Sequence, residues 1–354
     1  MSDDFRVRAI PPIAVATAHA ARKRIDALTK PPGSLGRIEA LAVQLSAIAG
    51  RVVDRPYTAK AVLIGAGDHG VADEGVSAYP AEVTPQMVGA FTGGHAAINA
   101  FARAAGAQVY VANFGVRSAL APHPALIDLA VAHGTANFAR GDAMTESDVQ
   151  RALAAGAAAF AAVVQRGPYD VLALGDMGIA NTTSAAAIVA ACTGADAAAV
   201  TGRGTGIDDA RLEKKRALVA RAVAPLRRAG WKRIASAVGG YEILGLAGAM
   251  LAAAAERIPI VLDGYIVAAA ALLAREIEPN VTSYCIAAHR SREPGHAVAL
   301  AVLGLEPLFD FELRLGEASG AALALPIVEA ATRMIAEMKT FAEAGVSDAQ
   351  ERGR

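Results

Sequence analysis

Cysteine is almost missing from this chain: only Cys192 and Cys285 occur in 354 residues, far apart and in apolar surroundings. That excludes a disulfide framework and fits a reducing, cytoplasmic compartment. An excess of either charge is also lacking, since Lys plus Arg and Asp plus Glu number 34 each, so no basic footprint for nucleic acid exists. The most apolar stretches, Gly245–Ala255 and Tyr265–Ala274, fall short of the roughly 20 residues a membrane span needs. Glu256, Arg257 and Asp263 interrupt them, and no membrane role is expected. Ser2, Asp3 and Asp4 open the chain without the basic-then-apolar pattern of a signal peptide. There is no Gly-Lys-Ser/Thr loop and no spaced-glycine dinucleotide fingerprint, which disfavours an ATPase or a nicotinamide-dependent dehydrogenase. No internal repeat is apparent.

What is present is a large apolar fraction, 54% against 19% charged residues, enough for a sizeable core. Five short apolar runs each stop at a cluster of Gly and polar residues. Ala59–Ile64 runs into Gly67-Asp68-His69-Gly70, and Gln108–Ala112 into Asn113-Phe114-Gly115. Asp170–Leu174 runs into Gly175-Asp176-Met177-Gly178, Ile258–Leu262 into Asp263-Gly264, and Ser283–Ala287 into His289-Arg290-Ser291. Continuous β-branched runs suit strands covered on both faces. Ala- and Leu-rich segments of helical spacing lie between them, among them Glu146–Gln165, Asp208–Arg228 and Tyr241–Glu256. The alternation predicts an α/β fold with a mostly parallel sheet flanked by helices. In such sheets ligands sit beyond the C-terminal strand ends, so the polar-Gly clusters are expected to converge there.

Ala14–Leu28, Ile38–Ala49 and Gly320–Ala344 read as helices remote from any strand. They predict a small helical domain built from both chain ends, residues 1–54 plus 311–354, beside a large α/β catalytic domain over 55–310. Gly345–Arg354 reads as a frayed tail.

Each cluster carries a chemical reading and a plainer one. Asp68, His69 and Asp73 suit a cation or acid–base work, or only a strand-end turn. Gly175 to Ser184 joins a strand to a helix; its amides and the Asn181, Thr182 and Thr183 side chains suit an anion, or cap the helix, or both. Thr201-Gly202-Arg203-Gly204-Thr205-Gly206, with Lys214 and Lys215 two helical turns on, reads as a second phosphate or carboxylate cradle or as a surface turn. Glu317, between small residues in Leu315-Gly316-Glu317-Ala318, is either a desolvated base or a first-turn helix charge.

Taken in order, Lys30-Pro31-Pro32-Gly33-Ser34-Leu35-Gly36, Gly67-Asp68-His69-Gly70-Val71, Gly175-Asp176-Met177-Gly178-Ile179, Gly202-Arg203-Gly204-Thr205-Gly206 and Leu315-Gly316-Glu317 resemble the nicotinate-nucleotide–dimethylbenzimidazole phosphoribosyltransferase family over residues 20–340. The resemblance implies a large Rossmann-like domain, a small helical domain and a homodimer. It implies transfer of phosphoribose from nicotinate mononucleotide to 5,6-dimethylbenzimidazole in cobalamin synthesis, with no cofactor and no metal. Glu317 would be the general base, with Asp176 in support. The Gly175 and Gly202 loops, through Met177, Gly178, Asn181, Thr182, Arg203 and Gly204 and with Lys214 nearby, would hold the mononucleotide. Ser77, Tyr79, Gln86, Met177 and Leu315 would hold the acceptor base. The rival readings are a metal-dependent nucleotide hydrolase or transferase using Asp68, His69 and Asp73, and a nucleotide-binding sensor without turnover.

Overall fold

A computed structural model describes residues 5–347. The opening Ser2–Asp4 and the tail beyond Ser347 lie outside the described residues. Six parallel strands, β1 (Lys60–Gly67), β2 (Ala107–Gly115), β3 (Leu126–Asp128), β4 (Val171–Met177), β5 (Ile260–Leu262) and β6 (Cys285–Ala287), form one sheet of order β3-β2-β1-β4-β5-β6. This is the doubly wound Rossmann order, with the strand order reversing between β1 and β4.

The helices are α1 (Val15–Asp26), α2 (Arg37–Ala49), α3 (Val83–Thr92), α4 (Ala97–Ala105), α5 (Glu146–Val164), α6 (Asn181–Thr193) and α7 (Ala197–Val200). They continue with α8 (Asp209–Val223), α9 (Trp231–Val238), α10 (Tyr241–Ala255), α11 (Tyr265–Ile277), α12 (Pro294–Leu303), α13 (Ser319–Glu337) and α14 (Phe341–Ala344).

Alternation along the strands assigns the two faces. Ala61 and Leu63 of β1, Leu172 and Leu174 of β4, and Ile260 and Leu262 of β5 enter one core with α5, α6, α10 and α11. Val62 and Ile64, Val171 and Ala173, and Val261 enter the other, with α1, α2, α4 and α13. Both faces are covered, which is why the strands read as unbroken apolar runs. The helices from the two chain ends meet, and Leu28 and Thr340 form a β-bridge between them. Their apolar side chains share one core with the sheet face.

The sequence reading needs correction at several elements. β3 was not foreseen, because three residues after the Pro-rich stretch Ala121-Pro122-His123-Pro124 give no strand pattern. The short helices α3, α9 and α12 were not foreseen either. β4 runs on to Met177, with Gly175 and Asp176 paired against Ile64 and Gly65 of β1, so these residues belong to the strand. Among the described residues one helix, α13, is long and apolar enough to cross a membrane, and in this fold it is mostly buried against the sheet and α2.

Candidate active site

A cavity of about 540 Å³ opens at the C-terminal ends of β4, β5 and β6, a size suited to a nucleotide. Met177 to Thr182 line it on one side, Gly204 and Thr205 on a second, and Gly264, His289, Ser291 and Glu293 on a third. Arg314, Leu315, Gly316 and Glu317 close it, with Tyr79, Val83 and Met87 at the rim. The ends of β1 and β2 stay outside. Asn113 instead ties its own strand end, accepting from the Gly115 and Val116 amides and donating to Asp128 at 2.8 Å. A second cavity of about 500 Å³ lies between Met144 and Arg233, but it is open and rimmed by an Arg233–Asp142 surface ion pair.

Carboxylates crowd the floor of the first cavity. Asp176 is buried, with Oδ2 accepting from Asn181 Nδ2 at 2.8 Å and Oδ1 free of any partner. Burial pushes its carboxyl up to about 7; Asn181 pulls the other way, and the neighbouring Glu242 and Glu317 charges push further. Glu317 is 7% exposed, and its Oε2 also lacks a partner. Burial raises its pKa above the ordinary carboxylate range. It is presented on a left-handed turn, with φ of 84°, 64° and 67° at Gly316, Glu317 and Ala318. Two consecutive non-glycine residues in this region are strained, and such strain persists only when the surroundings hold it.

The two glycine loops divide into parts that face the cavity and parts that pack. Gly175 and Gly202 do not line it. A Cβ on Gly175 would lie 2.2 Å from the Ala318 amide nitrogen, and one on Gly202 would lie 2.2 Å from Glu293 Oε2. Both are glycine because other groups press against them. Gly178 and Gly204 do line it, and the Gly204 amide donates to Glu293 Oε1 at 2.9 Å. Arg203 is turned to Asp209 and the Ile207 carbonyl, and so does not line the cavity.

Lys214 is exposed and donates to the Glu74 carbonyl at 2.6 Å. The buried lysine is its neighbour Lys215, whose Nζ meets Thr182 Oγ1 at 2.8 Å and the Gly202 carbonyl at 3.1 Å. It therefore bridges the two loops from beneath. Burial pulls its pKa down to about 8. Ser77 bonds Thr205 Oγ1 at 3.2 Å outside the cavity lining, and Gln86 is exposed on α3. Tyr79 and Leu315, each more than half exposed, stand at the mouth.

Asp68, His69 and Asp73, weighed above as cation ligands, do not converge. Asp68 accepts from the Arg117 amide at 2.8 Å, and Asp73 is exposed and paired with the Arg117 side chain at 3.6 Å. Both His69 ring nitrogens are engaged, Nδ1 with Ser184 Oγ at 2.9 Å and Nε2 with Glu242 Oε1 at 2.6 Å. No role was foreseen for Glu242, Asp263, His289, Glu293 or Arg314. Asp263 and His289 open two of the polar-Gly clusters, which is the signal that marks them.

A phosphoribosyltransferase family model matches residues 10–346. A nicotinate-nucleotide–dimethylbenzimidazole phosphoribosyltransferase of Chloroflexus aggregans is 51% identical over 346 residues, 97% of either chain. One of Thermus thermophilus is 50% identical over 329 residues, 92% of this chain and 97% of that one. The crystal structure of that name from Thermus thermophilus superposes with a TM-score of 0.90 at 47% identity, covering 95% of this chain and all of the other.

Proposed function

We propose the site chemistry that follows from one premise: this chain belongs to the nicotinate-nucleotide–dimethylbenzimidazole phosphoribosyltransferase family. It transfers phosphoribose from nicotinate mononucleotide to 5,6-dimethylbenzimidazole, giving nicotinate and α-ribazole 5′-phosphate for the lower ligand of cobalamin. The observation that carries the assignment of roles is a buried Glu317 carboxylate with one oxygen free, facing a cavity bounded by two glycine turns that share a buried lysine.

The C1′–N bond of the mononucleotide breaks with its electron pair going to the pyridinium nitrogen. Nicotinate leaves as a neutral ring, and no general acid is needed. One benzimidazole nitrogen attacks C1′ from the opposite face, inverting the sugar through an oxocarbenium-like transition state. The proton on the other nitrogen passes to Glu317. A desolvated carboxylate with a raised pKa suits this task near neutral pH. Its charge also offsets the positive charge developing near C1′. Asp176 supports it from the same floor: burial first, and then the Glu242 and Glu317 charges, hold its carboxyl above the ordinary range beside the base.

The phosphate belongs on the Gly178–Thr182 turn at the N-terminus of α6, opposite Gly204, with Lys215 beneath. Met177, Met87, Tyr79 and Leu315 offer the flat, apolar walls the acceptor base requires, with Ser77 and Gln86 at greater distance. A homodimer fits the exposed Tyr79, Phe311 and Leu315 side chains, and light scattering of the purified protein tests it. A cytoplasmic location fits the two free thiols, Cys192 and Cys285. The decisive assay supplies nicotinate mononucleotide and dimethylbenzimidazole, with and without chelator, and separates the products by chromatography. Nicotinate and α-ribazole phosphate in equal amounts, unaffected by chelator, are expected. Product that disappears with chelator favours the metal-dependent rival.

A further inference from the structure

The strained turn that carries Glu317 has no cap of its own. Ala318 is the N-cap residue of α13, and its side chain offers the helix no acceptor. The amides of the first turn find one on a neighbouring strand instead. Asp263, the residue directly after β5, accepts from the Ala321 amide through Oδ1 at 2.9 Å, and burial pushes its carboxyl up to about 8 against the pull of the Ala321, Gly320 and Ala318 amides. It is 1% exposed. The strands on either side hold the same four residues. In β4, Gly175 packs so tightly on Ala318 that a Cβ would sit 2.4 Å from the Ala318 Cβ. After β6, His289 lies against Gly320, where a Cβ would come within 2.0 Å of its ring, and its Nε2 is 3.7 Å from Asp263 Oδ1. The Asp263 amide in turn donates to the Leu174 carbonyl of β4 at 3.3 Å. Three adjacent strand ends thus converge on residues 318–321, one step beyond the carboxylate.

We propose that Asp263 is a positioning residue for Glu317: it caps α13 from β5 and so holds the left-handed Glu317–Ala318 turn that aims the carboxylate into the cavity. The inference rests on the reading of Glu317 as the general base. The physical reason is that an N-terminal helix turn with unsatisfied amides is loose, and a carboxyl oxygen fixed at the neighbouring strand end supplies the acceptor that Ala318 lacks. A shift of about 1 Å in a catalytic group is enough to cost on the order of 10²-fold in rate. Asp263 does not line the cavity, so its loss acts on turnover through Glu317 and spares binding.

The test compares Asp263→Ala, Asp263→Asn, Glu317→Gln and the Asp263→Ala/Glu317→Gln pair in steady-state kinetics with both substrates. Asp263→Ala is expected to lower kcat by roughly 10- to 100-fold while KM for the mononucleotide stays within about 3-fold. Asp263→Asn keeps an acceptor oxygen for the Ala321 amide and is expected to recover most of that loss. In the Glu317→Gln background, Asp263→Ala should take away little more, because the group it positions is already disabled. An unchanged kcat for Asp263→Ala, or a full additional loss in the double variant, overturns the positioning role. If Asp263→Ala does not fold, Asp263→Asn carries the test through amide exchange at Ala321: the amide should remain protected, and loss of protection with unchanged kcat overturns the proposal. Wild-type activity in Glu317→Gln alone would mark failure of the base assignment, whatever Asp263 does.

Discussion

His69 Nε2 stands 2.6 Å from Glu242 Oε1 with both side chains fully enclosed, and His69 Nδ1 completes a line to Ser184 at 2.9 Å. The pair supports the floor of the cavity. A Cβ on Gly67 would fall 2.8 Å from Glu242 Oε2, and Gly178 stacks over Gly67 so closely that its own Cβ would lie 2.3 Å from the Gly67 carbonyl. Removing Glu242 leaves His69 Nε2 buried without a partner, which costs more than the pair contributes as a whole. Glu242→Ala is therefore expected to destabilise the fold by at least about 2 kcal/mol, read as a drop in the urea midpoint. A change under about 0.5 kcal/mol would show that the two side chains do not depend on each other.

Glu317→Gln preserves the shape of the turn and removes the proton acceptor. Turnover is expected to fall by roughly 10²–10⁴-fold with KM for the mononucleotide nearly constant. Stopped assays that follow nicotinate release would show it directly. Full activity in this variant would remove Glu317 from the chemistry.

The buried carboxyls make stability fall as pH rises. The folded-state pKa of Asp176 is pushed up to about 7 and that of Asp263 up to about 8, both by burial and both from 3.8. Between pH 4 and pH 7–8 the folded state therefore binds more protons than the unfolded one, and the slope of stability against pH is negative there. Their contribution is whole below about pH 4 and is lost as pH passes through the raised values. Asp176→Asn cannot ionise. Its Tm relative to the parent should accordingly improve by ~2 °C or more on going from pH 5 to pH 8. A Tm difference that is flat across this range would place the Asp176 pKa near its ordinary value.

How far the site was legible depended on how local its signals are. Asp176, Met177, Gly178 and Glu317 are marked by short motifs beside strand or helix ends, and they do meet in one cavity. The role of Gly175 was hidden, because a glycine demanded by the Ala318 backbone looks the same in sequence as one demanded by a ligand. Glu242 lies 173 residues from His69, and nothing in either segment announces the contact. The parallel order was foreseen from alternation, yet β3 was not, since three residues at an edge bury only Ile127 and show no period. The terminal helices read as remote from the strands, although their apolar faces meet Val62, Ile64 and Val171 across the sheet. Long-range pairings of this kind leave no trace in local pattern.

The Lys214-Lys215 pair offers the sharpest separation of two adjacent residues. Leu212, Lys215, Leu218 and Val219 are the buried stripe of α8, spaced as one helical face, so Lys215 points inward and Lys214 outward. The helical period thus contained a signal for which of the two matters. Lys215 is held by Thr182 Oγ1 and the Gly202 carbonyl, and it joins the two turns that flank the proposed phosphate position. Lys215→Met keeps the stem and removes the charge. KM for nicotinate mononucleotide should rise about 10-fold or more, since a charge-assisted contact contributes roughly 1.5–3 kcal/mol. Lys214→Met, at an exposed contact to the Glu74 carbonyl, should stay within about 2-fold of the parent. Arg203→Ala should fall between them, because its guanidinium closes the loop through Ile207 and Asp209 and so orders the cradle without lining it. Titration of the mononucleotide against each variant by calorimetry gives the three affinities on one scale. Equal losses for Lys214→Met and Lys215→Met would mean that net positive charge, and not the buried bridge, holds the phosphate.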